Sequence, residues 1–185
     1  MDDQRRSPSG HRESATEDPP GNPLRRAAYA PAPRTLVDIL QATAHAHPDE
    51  PAIDNGREVL TYAEVMEAAT EVARALGDNG VGTGDRVGIQ IPSGTTDLYV
   101  AIIGTLVAGA AYVPVDFDDP PARAETVFGE AGVAAIIEAD LVIRPTTDGP
   151  PEPVTETDPP QVTDDAWIIF TSGSTGTPKG VAVTH

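Results

Sequence analysis

The residues best equipped for chemistry stand together near one end of this 185-residue chain, in the run Thr171-Ser-Gly-Ser-Thr-Gly-Thr-Pro-Lys-Gly180. Thr171, Ser172, Ser174, Thr175 and Thr177 supply hydroxyl donors. Gly173, Gly176 and Gly180 allow left-handed backbone and close approach of a ligand. Successive backbone N–H groups in such a loop form an anion-binding nest. Lys179 adds a compact positive charge. Donors, nest and ammonium together suit a polyphosphate. Three plainer readings compete. A flexible Gly/Ser linker fits poorly with Pro178 and the apolar flanks. A G-x-x-x-x-G-K-[ST] loop fails on spacing, because Lys179 sits between Pro178 and Gly180 and no helical pattern follows. An ordinary hairpin turn does not need ten residues and five hydroxyls.

The loop must be held by its neighbours. Ala166–Phe170 reads as a buried strand before it, and Val181–Thr184 as a second strand after it. Upstream, Thr35 begins the ordered part with a variant capping box, and Leu36, Ile39, Leu40, Thr43 and His47 share one face of a helix that Pro48 stops. Residues 51–60 read as a small hairpin turning at Asn55-Gly56. Thr61-Tyr-Ala-Glu64 is a regular capping box, followed by Val65, Ala68, Ala69, Val72 and Leu76 at helical spacing, with Gly80 ending the helix. A turn at 82–86 leads into a buried strand, Val87–Ile91. Ser93 is placed to cap the next helix, which is apolar nearly all round and therefore buried. Strands at Ala111–Val115 and Val133–Ile137, with a helix near Pro121–Glu130 between them, complete a β-α-β-α-β order. That order predicts an α/β fold with a parallel-rich sheet, right-handed crossovers and flanking helices.

Charge narrows the partners. The chain has 12 Lys+Arg against 29 Asp+Glu, a net charge of −17. Residues 1–34 hold six arginines against five acids, so the remainder carries six cations against 24 acids, or −18. Such a body repels phosphate backbones and anionic membranes, which argues against nucleic-acid binding. Lys179 is the sole lysine, so the one ammonium falls inside the one loop suited to phosphate. With no cysteine, disulfide frameworks and thiol catalysis are excluded. The absence fits a reducing compartment, and a cytoplasmic location is expected. Residues 1–34 lack apolar periodicity and read as a disordered tail, with no secretory pattern. Leu98–Val115 carries no charge, but Gly104, Gly109 and Pro114 interrupt it, so a buried helix-turn-strand is expected and not a membrane span. Residues 144–165 form a proline-rich connection whose acids, Asp148, Glu152, Glu156, Asp158, Asp164 and Asp165, follow its lone cation Arg144. It reads as a solvated excursion or a linker. His45 and His47 read as half-buried helix residues and not as metal ligands, Trp167 as core and Arg86 as a turn residue. A chain that stops at His185, inside a strand, reads as the front part of something longer.

TSGSTGTPKG resembles, over ten consecutive positions, the phosphate-binding signature of the adenylate-forming superfamily: acyl-CoA synthetases, luciferases and the adenylation domains of nonribosomal peptide synthetases. Leu60-Thr-Tyr-Ala-Glu-Val65 resembles that family's first core motif. Leu106-Val-Ala-Gly-Ala-Ala-Tyr-Val-Pro-Val-Asp116 resembles the second, in its amino-acid-activating form. The resemblance covers 35–185 and implies the N-terminal part of the acetyl-CoA-synthetase-like large subdomain, incomplete here. The segment after Asp116, FDDPPARAETVFGEAGV, is closer to the polylysine-synthetase type.

The resemblance further implies that Thr171, Ser172, Gly173, Ser174, Thr175, Gly176, Thr177, Lys179 and Gly180 hold the β- and γ-phosphates of ATP. Phe170 stands where the family often has Tyr, which matters little if the side chain packs inward. Tyr112 and Asp116 read as structural, one in the core and one capping a turn. His185 matches a histidine that often follows the loop. Magnesium binding, adenine stacking, the ribose-gripping Asp and the catalytic lysine lie downstream in this family, so no catalytic or metal residue is expected in the chain. The implied reaction forms an acyl- or aminoacyl-adenylate from a carboxylate and ATP, then transfers the acyl group to the phosphopantetheine thiol of a carrier-protein domain. The Ala-Tyr-Val-Pro-Val-Asp wording favours an amino-acid adenylation domain over the front of an acyl- or aryl-CoA ligase. A third possibility is a truncated, non-catalytic chain that binds nucleotide weakly. The chain alone is expected to be inactive.

Overall fold

The computed structural model describes residues 31–147, 151–155, 157–171 and 178–185. The expected tail 1–34 therefore lies almost wholly outside the described residues, and the fold is that of the unit Pro33–His185.

Two capping boxes start the first two helices. Thr35 accepts from the Asp38 N–H, and Asp38 accepts from the Thr35 N–H, at the head of α1 (Leu36–Ala46). Thr61 and Glu64 repeat the arrangement for α2 (Tyr62–Asp78). Their N–H bonds hold both carboxyls below the usual carboxylate range. Between the helices, β1 (Pro51–Asp54) and β2 (Val59–Thr61) form the expected antiparallel hairpin. Asp54 accepts from Gly56 N–H, and Asn55 accepts from the N–H groups of Arg57 and Glu58. The turn is thus satisfied by its own side chains.

The main sheet contains β3 (Arg86–Ile89), β4 (Ala111–Pro114), β5 (Ala135–Ile137), β6 (Ile143–Pro145), β7 (Asp165–Thr171) and β8 (Lys179–Thr184), in the order β6-β5-β3-β4-β7-β8. The four inner strands are parallel, and each edge strand is antiparallel to its neighbour. Between them run α3 (Thr96–Val107) and α4 (Pro121–Ala131). The strands' alternation sorts the core into two layers. On one face Val87, Ile89, Ala135 and Ile137 meet Val72 and Leu76 of α2 and Val100 and Ala101 of α3. On the other, Val113, Ile136 and Ile168 meet Ala124, Val127 and Phe128 of α4. Helices on both faces of a parallel-rich sheet are the α/β fold that the element order predicts.

Several expectations are corrected. Ser93 does not cap α3; Thr95 does, accepting from the Leu98 N–H, because Gly94 in the left-handed region (φ +78°) turns the chain and delays the helix. The core face of α1 is not the predicted one. Val37 is buried, whereas Leu36 and Ile39 are 38% and 43% exposed. The 3–4 spacing allows either stripe, and contact with the Leu106–Ala166 cluster selects Val37. His45 and His47 are exposed, not half-buried. Arg86 does more than turn: its guanidinium donates to the Ala131 carbonyl at the end of α4 (2.9 Å).

The described part of the acidic connection lies against α2. Val154 N–H donates to the Gly77 carbonyl (2.9 Å), and Thr83 Oγ1 donates to the Asp158 carbonyl (2.7 Å). A Cβ at Gly77 would stand 2.9 Å from the Val154 carbonyl oxygen. Leu98–Val115 divides into α3, a turn and β4, and among the described residues no helix is long and apolar enough to cross a membrane.

Candidate functional site

Because β3, β4, β5 and β7 are parallel, their C-terminal ends share one edge, the edge where open α/β sheets bind ligands. Four connections leave it: residues 90–95 after β3, 115–120 after β4, 138–142 after β5, and the run from Thr171 to Gly180 that joins β7 to β8. The N-termini of α3 and α4 open on the same edge and add partial positive charge.

Of the predicted phosphate-binding residues, Thr171 closes β7, and Lys179 and Gly180 open β8. Ser172, Gly173, Ser174, Thr175, Gly176 and Thr177 lie outside the described residues. Thr171 faces Lys179 across the last rung, and Phe170 faces Gly180 across the one before. Directly opposed residues in an antiparallel pair have Cα atoms about 5 Å apart, so the two ends of the loop are brought side by side. Alternation along β7 fixes their direction. Trp167 packs with the cluster beneath α1 and α3, and Ile168 and Phe170 pack toward α4. Thr171 therefore points to the α1/α3 side, and so does its partner Lys179. Both are exposed.

The edge is sparsely positive. Arg123 is paired with Asp119 (2.8 Å) and Arg144 with Glu138 (3.0 Å). No described carboxylate lies within 4.0 Å of the Lys179 ammonium, which leaves that charge available to an anion. Asp116 caps a turn, as read from the sequence: its carboxylate accepts from the Asp118 N–H (3.0 Å). Among the described residues no group of three His, Asp or Glu side chains converges on a metal.

The supporting residues behave as packing groups. Tyr112 stacks on Trp167, with ring centroids 6.1 Å apart, and burial pushes its hydroxyl pKa up. Phe170 packs inward on the α4 side, so the aromatic there is a core group whether or not it carries a hydroxyl. His185 takes a position no motif revealed. Its Nδ1 accepts from the Leu36 N–H (3.3 Å), tying the end of β8 to the start of α1. Burial lowers its pKa, with Asp164 and Asp38 opposing. The sequence carries no signal for that contact, which joins residues 149 positions apart.

A family described as AMP-binding enzyme matches residues 40–185. Pyochelin synthetase PchF of Pseudomonas aeruginosa is 39% identical over 165 residues, which cover 82% of this chain and 9% of that protein. Bacitracin synthase 1 of Bacillus licheniformis is 33% identical over 165 residues, covering 84% of this chain and 3% of that protein. The Klebsiella oxytoca NpsA N-terminal subdomain, solved in complex with 3-hydroxyanthranilyl-AMSN, superposes with a TM-score of 0.68 at 26% identity, covering 83% of this chain and 41% of that one. The chain thus spans well under half the length of the proteins it resembles.

Proposed function

The chain belongs to the AMP-binding enzyme family, and from that premise we propose that it is the N-terminal portion of an amino-acid adenylation domain, contributing the phosphate loop of an ATP-dependent ligase. The observation that carries this reading is the position of Lys179. The one lysine of a strongly acidic chain stands beside Thr171, unpaired among the described residues, at the ligand-binding edge of the sheet. Thr171, Ser172, Gly173, Ser174, Thr175, Gly176, Thr177, Lys179 and Gly180 form the assigned loop for the β- and γ-phosphates of ATP. Hydroxyl and backbone N–H donors bind the oxygens, and the ammonium offsets their charge.

In the complete ligase a carboxylate, here an amino acid, attacks the α-phosphorus and displaces pyrophosphate. The phosphopantetheine thiol of a carrier-protein domain then attacks the carbonyl of the resulting aminoacyl-adenylate, forming a thioester and releasing AMP. The solved structure of NpsA artificially fused to ThdA as an adenylation–PCP di-domain, 27% identical to this chain with a TM-score of 0.71 and covering 85% of this chain and 34% of that one, supports a carrier acceptor over coenzyme A. Magnesium binding is assigned to parts of the ligase downstream of the loop, as the family resemblance implies. A cytoplasmic site of action fits the cysteine-free sequence.

The test has two arms. Titration of the chain with ATP should show binding that Lys179→Ala weakens roughly tenfold or more. Amino-acid-dependent pyrophosphate exchange should be absent from the chain alone and present in a version extended through the catalytic lysine. Exchange by the chain alone would overturn the assignment of catalysis to other parts of the ligase. Equal ATP binding by the parent and Lys179→Ala would overturn the loop assignment.

A further inference from the structure

Gly180 has an unexpected neighbour. It is not among the glycines with positive φ, so backbone freedom does not explain it. What explains it is space. A Cβ at Gly180 would come 2.9 Å from Phe170 Cζ, 3.1 Å from Phe170 Cε2 and 3.1 Å from Ile168 Cγ2. The Phe170 ring therefore lies over the bare α-carbon of the residue it faces across the ladder. Ile168 and Phe170 are held by the α4-side cluster, so the ring is backed by the core.

A glycine inside a strand weakens it, and β8 is an edge strand whose residues are all exposed. An aromatic side chain across the ladder shields such a glycine and pins the register. Register matters here because side chains alternate. A slip of one residue would carry Lys179 from the Thr171 side to the α4 side. We propose that Phe170 and Gly180 are a positioning pair for the phosphate loop: the ring seated on the glycine holds the last rungs in register and keeps Lys179 on the face it shares with Thr171. This rests on the nucleotide reading above for its purpose, but not for its geometry.

The composition makes the test clean, since the chain has no cysteine and a single lysine. Ile169 and Val181 face each other one rung further in. An Ile169→Cys/Val181→Cys variant should cross-link on oxidation in the native register. Adding Gly180→Ala should slow cross-linking about fivefold, and the same change in a Phe170→Ala background should have no effect, as expected of two directly coupled residues. In the cysteine-free chain, ATP should protect Lys179 from acylation, read by peptide mapping. Gly180→Ala and Phe170→Ala should each weaken that protection about fivefold, while Val183→Ala, elsewhere on β8, should not. Unaltered cross-linking in Gly180→Ala, or an equal slowing in both backgrounds, overturns the positioning pair. An unprotected parent with the expected cross-linking pattern overturns the nucleotide reading and leaves the register lock standing.

Discussion

Two hairpins of the molecule, β1–β2 and β7–β8, put their polar groups to opposite uses. The tip of β1–β2 is closed on itself: Asp54 and Asn55 accept from three backbone N–H groups within the turn. The ends of the β7–β8 loop do the reverse. Thr171 and Lys179 stand exposed and side by side, and the ammonium has no carboxylate partner among the described residues. The two also differ at their bases. β2 passes straight into α2 through the Thr61 capping box, whereas the end of β8 is tied to α1 across the fold by the His185 imidazole. A hairpin that satisfies its own donors is a structural part. One that leaves an ammonium and a threonine exposed at its base is free to meet a ligand.

Breaking the second hairpin's charge should have the largest effect. Lys179→Ala should lower ATP affinity roughly tenfold or more, the worth of a hydrogen bond to a charged group, while leaving the melting temperature unchanged. Arg57→Ala, a cation at the closed hairpin, should leave ATP affinity untouched. Binding by calorimetry and melting by circular dichroism separate the two.

Next in size are changes at the closed hairpin and its cap. Thr61→Ala should cost about 1 kcal/mol by removing the cap of α2. Asn55→Ala, which orphans two exposed turn N–H groups, should cost about 1 kcal/mol or slightly less. Each should lower the melting temperature by a few degrees without changing nucleotide affinity. A change in nucleotide affinity for either variant would erase the distinction between the hairpins.

The smallest effect is pH-dependent and sits at the junction of β8 with α1. Burial lowers the His185 pKa from 6.5, so the folded state prefers the neutral ring that accepts from Leu36. The unfolded chain then binds the proton more readily, and stability rises with pH through this window. Its contribution is full above about 6.5 and is lost as pH falls through the folded value. His185→Gln should flatten that part of the profile. The capping carboxylates Asp38 and Glu64, lowered from 3.8 and 4.5, give a separate decline at lower pH that His185→Gln should leave in place. Denaturant melts at several pH values would show both.

Local signals were legible wherever the physics is local. The Thr35 and Thr61 boxes, the Asn55-Gly56 turn and the strand at Ala166–Phe170 each depend on residues within a few positions of one another. The candidate phosphate loop stands out in the sequence because its hydroxyls, glycines and ammonium are concentrated in ten consecutive residues. The acidic connection was not. Proline and acid content suggests solvation, and nothing in residues 151–158 announces that Val154 will bond to Gly77. The face of α1 was misread for the same reason, since Leu36 and Val37 offer equally good apolar stripes until a neighbour chooses between them.

The sequence by itself determined the β-α-β-α-β order, the Thr35 and Thr61 caps, the charge imbalance and the single ammonium placed in a donor-rich loop, because each follows from residue type and short-range spacing. The tertiary structure alone decided that the loop ends meet at the C-terminal edge of the sheet and that Lys179 and Thr171 share a face. It also decided that Phe170 rests on Gly180 and that His185 closes onto α1. Those outcomes depend on strand pairing and on which surfaces bury each other, and such contacts form only when distant parts of the chain are packed together.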